Sequence, residues 1–329
     1  MKILISTPLL QSDIGGPASY AFHLEKYLKQ KGHQVTIVSF AFEKKIPSGF
    51  RHLFYFFRVF ARALSTDHVI TLDASSVGFP TILACRITGT ASTVRLGGDF
   101  LWERYVERTG SEITLDSFYK KLPALSLKEK WIYITTSFVL RNVSHLVVNT
   151  EWLSKILSDG YVYDTKKTTC IENYFAGVQM CPETMQHTYV AASRAIKLKN
   201  KDRLKKVRNA MKHPPISLID TSMSQNDLHE IVTQCHATAV VSFSEVSPNL
   251  VLEGVARGKP FIVTKHTGLH PRFASMGFFV DPFDEDSIRQ GFHALSDESQ
   301  YKRYLAAIED CTYIHTWDVI GSKFEKLLI

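Results

Sequence analysis

The stretch TAVVSFSEVSPNLVLEGVARGKPFIVTK, Thr238–Lys265, reads as a strand, a helix and a second strand. TAVVSF is an apolar run of strand length, and NLVLEGVA carries apolar residues at helical spacing. Ser247 followed by Pro248 predicts the start of the helix, with the serine as N-cap and the proline in the first helical position. Strands joined through a helix are typical of parallel α/β sheets, so this stretch predicts one.

Two glutamates flank the predicted start of this helix. Glu245 follows the first strand, and Glu253 lies about one and a half turns into the helix. Between them, the backbone N–H groups that begin a helix favour an anion. A ligand with hydroxyl groups at both ends and phosphate in the middle, such as a nucleotide sugar, fits this order of groups.

Composition narrows the class of protein. The chain has 329 residues, enough for two domains, with 45% hydrophobic and 22% charged residues, as in a folded enzyme. The net charge of +7 favours anionic partners such as nucleotide diphosphates, acidic lipid surfaces or nucleic acid. The five cysteines are scattered and form no Cys-x-x-Cys, which argues against zinc and a disulfide framework and predicts a reducing compartment. No apolar run is long enough to span a membrane, and a cytoplasmic location is expected.

Strand and helix patterns alternate along the whole chain. KILIST, the helix ending at Gly32 and QVTIVSF form a βαβ unit. Continued alternation predicts one doubly wound domain over residues 1–173 and a second over 174–311, with a C-terminal helix in 312–329 packing back toward the first domain. The predicted fold is α/β, with two Rossmann-like parallel-sheet domains facing across a cleft. Ligands bind outside the carboxyl ends of such strands.

Three motifs together resemble those of the retaining glycosyltransferases of the GT-B fold, specifically family 4. They are IGGPASYAFHLEKYLKQKGHQV, SRAIKLKN and SEVSPNLVLEGVARGKP. The resemblance covers nearly the whole chain. It implies a hexosyltransferase-type enzyme that moves a sugar from a nucleotide-diphosphate donor, expected to be a UDP-sugar, to an acceptor hydroxyl with retention of configuration. The nucleotide sugar is a substrate, and neither a metal nor another cofactor is expected.

The resemblance assigns roles to four charged residues. Glu253 would hold the ribose hydroxyls, because a carboxylate accepts two hydroxyl protons at once. Glu245 would contact the donor sugar or steady its transition state. Arg194 and Lys199 would grip the diphosphate, because fixed cations stabilise the negative charge that the leaving nucleotide gains. Both lie at the start of a basic segment, residues 194–212, with nine Lys or Arg residues and one acidic residue.

Further donor contacts are expected from two loops. Gly15 and Gly16 would let the backbone approach the donor phosphate closely, with a tight turn as the alternative. The start of the helix after Glu245 supplies the remaining donor contacts: Ser247, Pro248, Asn249 and Leu250.

RLGGDF, Arg95–Phe100, departs from the family pattern, in which a histidine often touches the reacting sugar. Here Asp99 could orient the acceptor hydroxyl or contact the donor, which makes it a catalytic candidate beside Glu245, Arg194 and Lys199. Arg95 could pair with it, so the expected acceptor-binding residues are Arg95, Gly98 and Asp99. A plain turn is the alternative.

A second departure lies between SRAIKLKN and MSQNDLHEIV, where the family usually has another strand–helix unit. A smaller second domain is therefore predicted. This leaves open a shortened transferase that binds a nucleotide sugar with little turnover. A nucleotide-sugar epimerase is a further alternative, against which the phosphate-binding pattern and the glutamate pair argue. Nucleic-acid binding is favoured only by the net charge, because no recognisable module is present.

The acceptor, a glycan, a lipid-linked glycan or another hydroxyl, depends on the loops of the first domain. FRHLFYFFRVFARAL, residues 50–64, has aromatic residues on most of its faces and four basic residues. This pattern favours a buried crossover helix, with an interfacial membrane helix as the alternative. Peripheral contact with the inner membrane surface is kept as a hypothesis on that ground.

Overall fold

The computed structural model describes residues 1–8, 16–41, 43, 47, 50–182, 185–213, 215–221 and 223–328. The chain divides into two compact units. Unit 1 comprises Met1–Leu101, Leu122–Tyr174 and Thr316–Ile329, and unit 2 comprises Trp102–Lys121 and Phe175–His315.

The strands of the described residues have three to six residues each. In chain order they are β1 (Lys2–Thr7), β2 (Gln34–Ser39), β3 (His68–Thr71), β4 (Ala91–Leu96), β5 (His145–Val148), β6 (Thr168–Cys170), β7 (Met185–Val190), β8 (Ser217–Ile219), β9 (Cys235–Val240), β10 (Phe261–Thr264) and β11 (Gly277–Val280).

Helices follow nearly every strand. In chain order they are α1 (Gly16–Gln30), α2 (Arg51–Ala63), α3 (Gly78–Thr88), α4 (Phe100–Thr109), α5 (Leu115–Lys120), α6 (Leu127–Asn142), α7 (Glu151–Gly160), α8 (Lys201–Ala210), α9 (Gln225–Gln234), α10 (Asn249–Val255), α11 (Glu285–Ser296), α12 (Glu298–Glu309) and α13 (Trp317–Glu325). No helix in the described part of the chain combines the length and the apolar character that crossing a bilayer requires.

Unit 1 is built on a sheet whose six described strands are parallel, in the order β2-β1-β3-β4-β5-β6. Side chains alternate across the strands, so the two faces of the sheet have separate cores. Ile3 and Ile5 of β1 pack with α1 and α13. Leu4 points to the other face and packs with α2 and α3. On that second face α3 lies between α2 and α6.

Unit 2 has a smaller sheet, in which the five described strands are also parallel, in the order β11-β10-β9-β7-β8. The chain moves from β7 to β8 in one direction and from β9 to β11 in the other. The strand order therefore reverses between β7 and β9, which is where ligands bind in open parallel sheets. Two parallel α/β sheets confirm the predicted fold class.

The segment 102–121 lay inside the predicted first domain, whereas its contacts tie it to unit 2. The backbone N–H of Leu115, at the start of α5, donates to the buried Ser244 Oγ at 2.9 Å. Such a bond joins residues that are far apart in sequence, and no local pattern predicts it. At the other end of the chain, α13 packs on α1 within unit 1.

The prediction that Ser247 caps the helix after Glu245 is wrong. The helix α10 begins at Asn249, and Pro248 is its N-cap, with φ −75° and ψ 94°. An extended ψ is typical of an N-cap and excludes a position inside the helix. The carbonyl of Pro248 still accepts the first helical hydrogen bond, from Leu252 N at 3.2 Å.

We expect Gly321→Ala to loosen the packing of α13 on α1. A Cβ at Gly321 would lie 2.3 Å from the ring of Tyr27, a contact that only displacement of the ring or of the helix can relieve. The free energy of unfolding should fall by about 1–3 kcal/mol, measured by urea denaturation. Gly98→Ala is the control, because a Cβ there meets nothing within 4 Å. Equal stability of the two variants would contradict close packing at this contact.

Candidate functional site

The carboxyl ends of β7 and β9 carry the residues that the sequence singled out in the second domain. After β7, which ends at Val190, the chain passes through Arg194 into a short 3₁₀ turn, Lys197–Lys199. After β9, which ends at Val240, it reaches Glu245 and then α10. The two loops are neighbours because β7 and β9 are paired in the sheet.

The turn that carries Lys199 is fixed by its neighbours. Leu198 is buried, and its carbonyl accepts a hydrogen bond from Phe243 N at 2.9 Å. Asn200 is also buried and has a left-handed backbone, with φ 54°. Its Nδ2 donates to the carbonyl of Val241 at 3.2 Å. Lys199 thus projects from a turn that is bound on both sides to the loop after β9.

The backbone of Glu245 is held by the loop after β10. Its N–H donates to the carbonyl of His266 at 3.0 Å, and its carbonyl accepts from Gly268 N at 2.9 Å. The side chain is held as well, because Ser242 Oγ donates to Oε1 at 2.6 Å. Ser242 was not predicted as a site residue, and its position three residues before Glu245 is the local signal for this contact.

Lys199 Nζ donates to Glu245 Oε1 at 2.5 Å, so the pair shares the oxygen that Ser242 also contacts. The side chains of Lys199 and Glu245 are only 18% and 12% exposed. Partial burial strengthens the attraction relative to a surface pair, because less water screens the charges. An ammonium has three N–H donors, and this contact uses one of them.

Arg194 lies on the same loop, but its side chain points elsewhere. It is 66% exposed, and its Nη2 lies 3.3 Å from each carboxylate oxygen of Glu103 on α4. An exposed pair of this kind contributes little to stability. The structure therefore places Lys199, and not Arg194, beside Glu245.

Acidic residues of the segment 102–121 contact the first half of the basic segment, at residues 194, 197 and 203, a pattern that was not predicted. Glu107 accepts from the backbone N–H of Lys197 at 2.5 Å, and Glu112 accepts from Arg203 Nη2 at 2.7 Å. With Glu103, these acids recur every four or five residues. That spacing was the available signal, although it does not identify the partner.

Glu253 lies on α10, as predicted from the helical pattern. Its side chain is half-buried, with Oε2 shielded from solvent. Its backbone carbonyl accepts from Arg257 Nη1 at 2.7 Å. At the start of the same helix, Pro248 makes no side-chain capping hydrogen bond, and Asn249 is exposed.

The candidates of unit 1 lie at the carboxyl edge of its own sheet. Arg95, on β4, is buried, donates to Asn173 Oδ1 at 2.8 Å and stacks over the ring of Tyr20 at 3.7 Å. Burial raises the pKa of Tyr20, and Arg95 opposes that rise. Gly98 is exposed, and Asp99 is buried immediately before α4.

The glycine loop of unit 1 is described only in part. Gly16 is the first residue of α1. Gly15 lies outside the described residues. Among the residues that the structure does describe, no group of three or more His, Cys, Asp and Glu side chains could hold a metal ion.

No protein-family model and no curated protein matches the chain. Solved structures do match it over its whole length. HepE from Anabaena, crystallised with UDP and with UDP and glucose, aligns with TM-scores of 0.68 and 0.70 at 12% identity, covering 100% of this chain and 99% of HepE.

Two further enzymes have the same architecture. Sucrose-phosphate synthase from Thermosynechococcus elongatus aligns with a TM-score of 0.73 at 11% identity, covering 99% of this chain and 97% of the synthase. A glycosyltransferase from Rickettsia africae aligns with a TM-score of 0.66 at 16% identity, over the same shares of each chain. The protein therefore has the two-domain, Rossmann-like GT-B fold.

A double-mutant cycle on Lys199→Met and Glu245→Gln should give a coupling free energy of about 1–3 kcal/mol, because the pair is close and mostly buried. The same cycle on Arg194→Met and Glu103→Gln should give about 0–1 kcal/mol, as for exposed pairs. Both are measured as free energies of unfolding in urea. Coupling of the second pair that equals or exceeds the first would contradict the burial assigned to Lys199 and Glu245.

Proposed function

We propose that this protein is a retaining glycosyltransferase that moves a sugar from a nucleotide-diphosphate donor, with UDP as the nucleotide, to an acceptor hydroxyl. The observation that carries the proposal is the Lys199–Glu245 pair, fixed by Ser242 where the strand order of unit 2 reverses. Ligands bind at such reversals in parallel sheets. The crystals of HepE, which has the same fold, contained UDP and glucose, which supports the same donor class.

In this proposal Lys199 and Arg194 bind the diphosphate. Both lie on the loop after β7, and Lys199 keeps two N–H donors beyond its contact with Glu245. Fixed cations stabilise the charge that develops on the leaving nucleotide without reorganising during the reaction, so the transfer is metal-independent. To bind phosphate, Arg194 would release Glu103. The loss of that ion pair costs little free energy, because the pair is exposed.

Glu253 binds the ribose hydroxyls in this proposal, because it lies on α10 and a carboxylate accepts two hydroxyl protons at once. The residues before it line the start of α10. Pro248 has no N–H, so the donors there are the backbone N–H groups of Asn249 and Leu250, beside Ser247. This division gives the ribose and the phosphates separate partners on one short helix.

In this proposal Glu245 stabilises the donor sugar in the transition state. As the bond between the anomeric carbon and the phosphate oxygen breaks, positive charge develops at that carbon, and a nearby carboxylate stabilises it. The acceptor oxygen bonds to the anomeric carbon on the face that the leaving group vacates. The departing phosphate oxygen takes the acceptor proton, so the step balances without a separate protein base. Positioning then supplies much of the rate.

The carboxyl edge of unit 1 is proposed to take the acceptor. Asp99 would orient the acceptor hydroxyl, and Arg95 and Gly98 would line the same edge. The stacking of Arg95 on Tyr20 gives that edge a fixed cation. Gly15 and Gly16 are proposed to bring backbone close to the donor phosphate.

We expect Glu253→Ala to remove the ability to distinguish UDP from 2′-deoxy-UDP. Wild type should bind UDP more tightly, by about tenfold or more, because the ribose hydroxyl contacts a carboxylate. The variant should bind both nucleotides with similar, weaker affinity, measured by titration calorimetry. Glu230→Ala, at an exposed position on α9, is the matched control and should keep the preference. A variant at position 253 that still prefers UDP would refute the ribose role.

Lys199→Ala should lower kcat by about 10²-fold or more, because the charge on the leaving diphosphate loses a fixed partner. Release of UDP from UDP-sugars is the measurement, with circular dichroism to verify that the variant is folded. Lys206→Ala removes an exposed lysine paired with Glu285 and should leave kcat unchanged. If both variants turn over like wild type, the diphosphate is bound elsewhere.

A further inference from the structure

The helix α2 has two apolar faces, of which only one is buried. Tyr55, Val59 and Ala63 pack against the sheet of unit 1. Large apolar side chains at the helix and its two flanking positions are each more than half exposed: Phe50, Leu53, Phe54, Phe57 and Leu64. Phe50, Leu53, Phe54 and Phe57 follow the helical spacing, and Leu64 lies seven residues, about two turns, beyond Phe57. All five therefore lie on one stripe, opposite the buried residues. The predicted buried crossover helix is therefore only half correct.

The helix α6 carries a second exposed stripe in the same layer. Leu127, Trp131 and Ile134 follow each other at helical spacing and are all more than half exposed. Trp131 contacts Phe79 of α3, the helix that lies between α2 and α6. Ile134 also lines an apolar hollow together with Leu122. The exposed residues of α2 and α6, with Ile87 of α3, form what we call the α2–α6 face.

The three helices of this layer are strongly basic. Their sequences contain seven Lys or Arg residues: Arg51, Arg58, Arg62, Arg86, Lys128, Lys130 and Arg141. The one acidic residue, Glu129, is buried and closes the capping box at the start of α6. Glu43 pairs with Arg58 and offsets one charge. By contrast, α1 and α13, on the other face of the sheet, contain both signs.

We propose that the α2–α6 face docks on the surface of an anionic phospholipid membrane. Exposed aromatic and aliphatic side chains enter the interface, and the flanking arginines and lysines meet acidic headgroups, as in interfacial amphipathic helices. A second copy of this chain is disfavoured on the same face, because two surfaces of the same positive charge repel each other. Nucleic acid would match the charge but would leave the apolar stripes exposed. Docking of this face on a membrane does not depend on the proposed reaction.

The test is flotation of the full-length protein with vesicles of phosphatidylcholine alone or with added phosphatidylglycerol. Wild type should float with the anionic vesicles and not with the neutral ones. The double variant Phe54→Ser and Phe57→Ser should lose about tenfold or more in partitioning. Val319→Ser, an exposed apolar position on α13, is the matched control and should bind like wild type.

Charge is tested in parallel. Lys128→Glu with Lys130→Glu should weaken binding to anionic vesicles, whereas Lys26→Glu on α1 should not. Melting temperatures near that of wild type verify that the exposed substitutions leave the fold intact. Equal flotation of wild type and both double variants would overturn the proposal. So would a dimer in sedimentation equilibrium that Phe54→Ser and Phe57→Ser dissociate, or a salt-sensitive complex with RNA in place of vesicle binding.

Discussion

The position of the Glu245 carboxylate depends on three loops at the carboxyl edge of the second sheet. The loop after β7 supplies Lys199, the loop after β9 supplies Ser242, and the loop after β10 holds the Glu245 backbone. Each loop follows a different parallel strand, so the arrangement exists only when the sheet has formed. Because the hydrogen bonds are made within the protein, the charged groups are already oriented, which is the condition for electrostatic stabilisation of a transition state.

Much of the fold could be predicted because most strands and helices have a local sequence pattern, such as an apolar run or apolar residues at helical spacing. The first strand is predicted at KILIST, and β1 begins and ends at those residues, Lys2–Thr7. The strand β11 had no such signal, because it has four residues and begins at Gly277, too short for a clear alternation. The helix α12 was not predicted either, although Tyr301, Tyr304, Leu305 and Ile308 lie at helical spacing in its sequence. Of these four, only Ile308 is buried.

Individual residues of the candidate site could be predicted from the sequence, but the contacts between them could not. Motif resemblance identified Lys199 and Glu245, and the structure places their side chains in contact across 46 residues of sequence. Motif resemblance could not predict that Arg194 faces Glu103, because that ion pair joins residues 91 apart in sequence. Ser247 was expected to cap α10 from residue preference alone, whereas the extended backbone of Pro248 decides where the helix begins. Contacts between distant segments are set by packing, which local patterns do not encode.

The net charge of +7 is unevenly distributed between the two units. The basic segment after β7 contains nine Lys or Arg residues and one acidic residue. Five of its cations form ion pairs, with Glu103, Glu245, Glu112, Asp220 and Glu285. The layer of α2, α3 and α6 has basic side chains with a single, buried acid. The long-range field of the protein therefore comes chiefly from unit 1, where it coincides with the exposed aromatic stripes, and a donor would be held by short-range contacts.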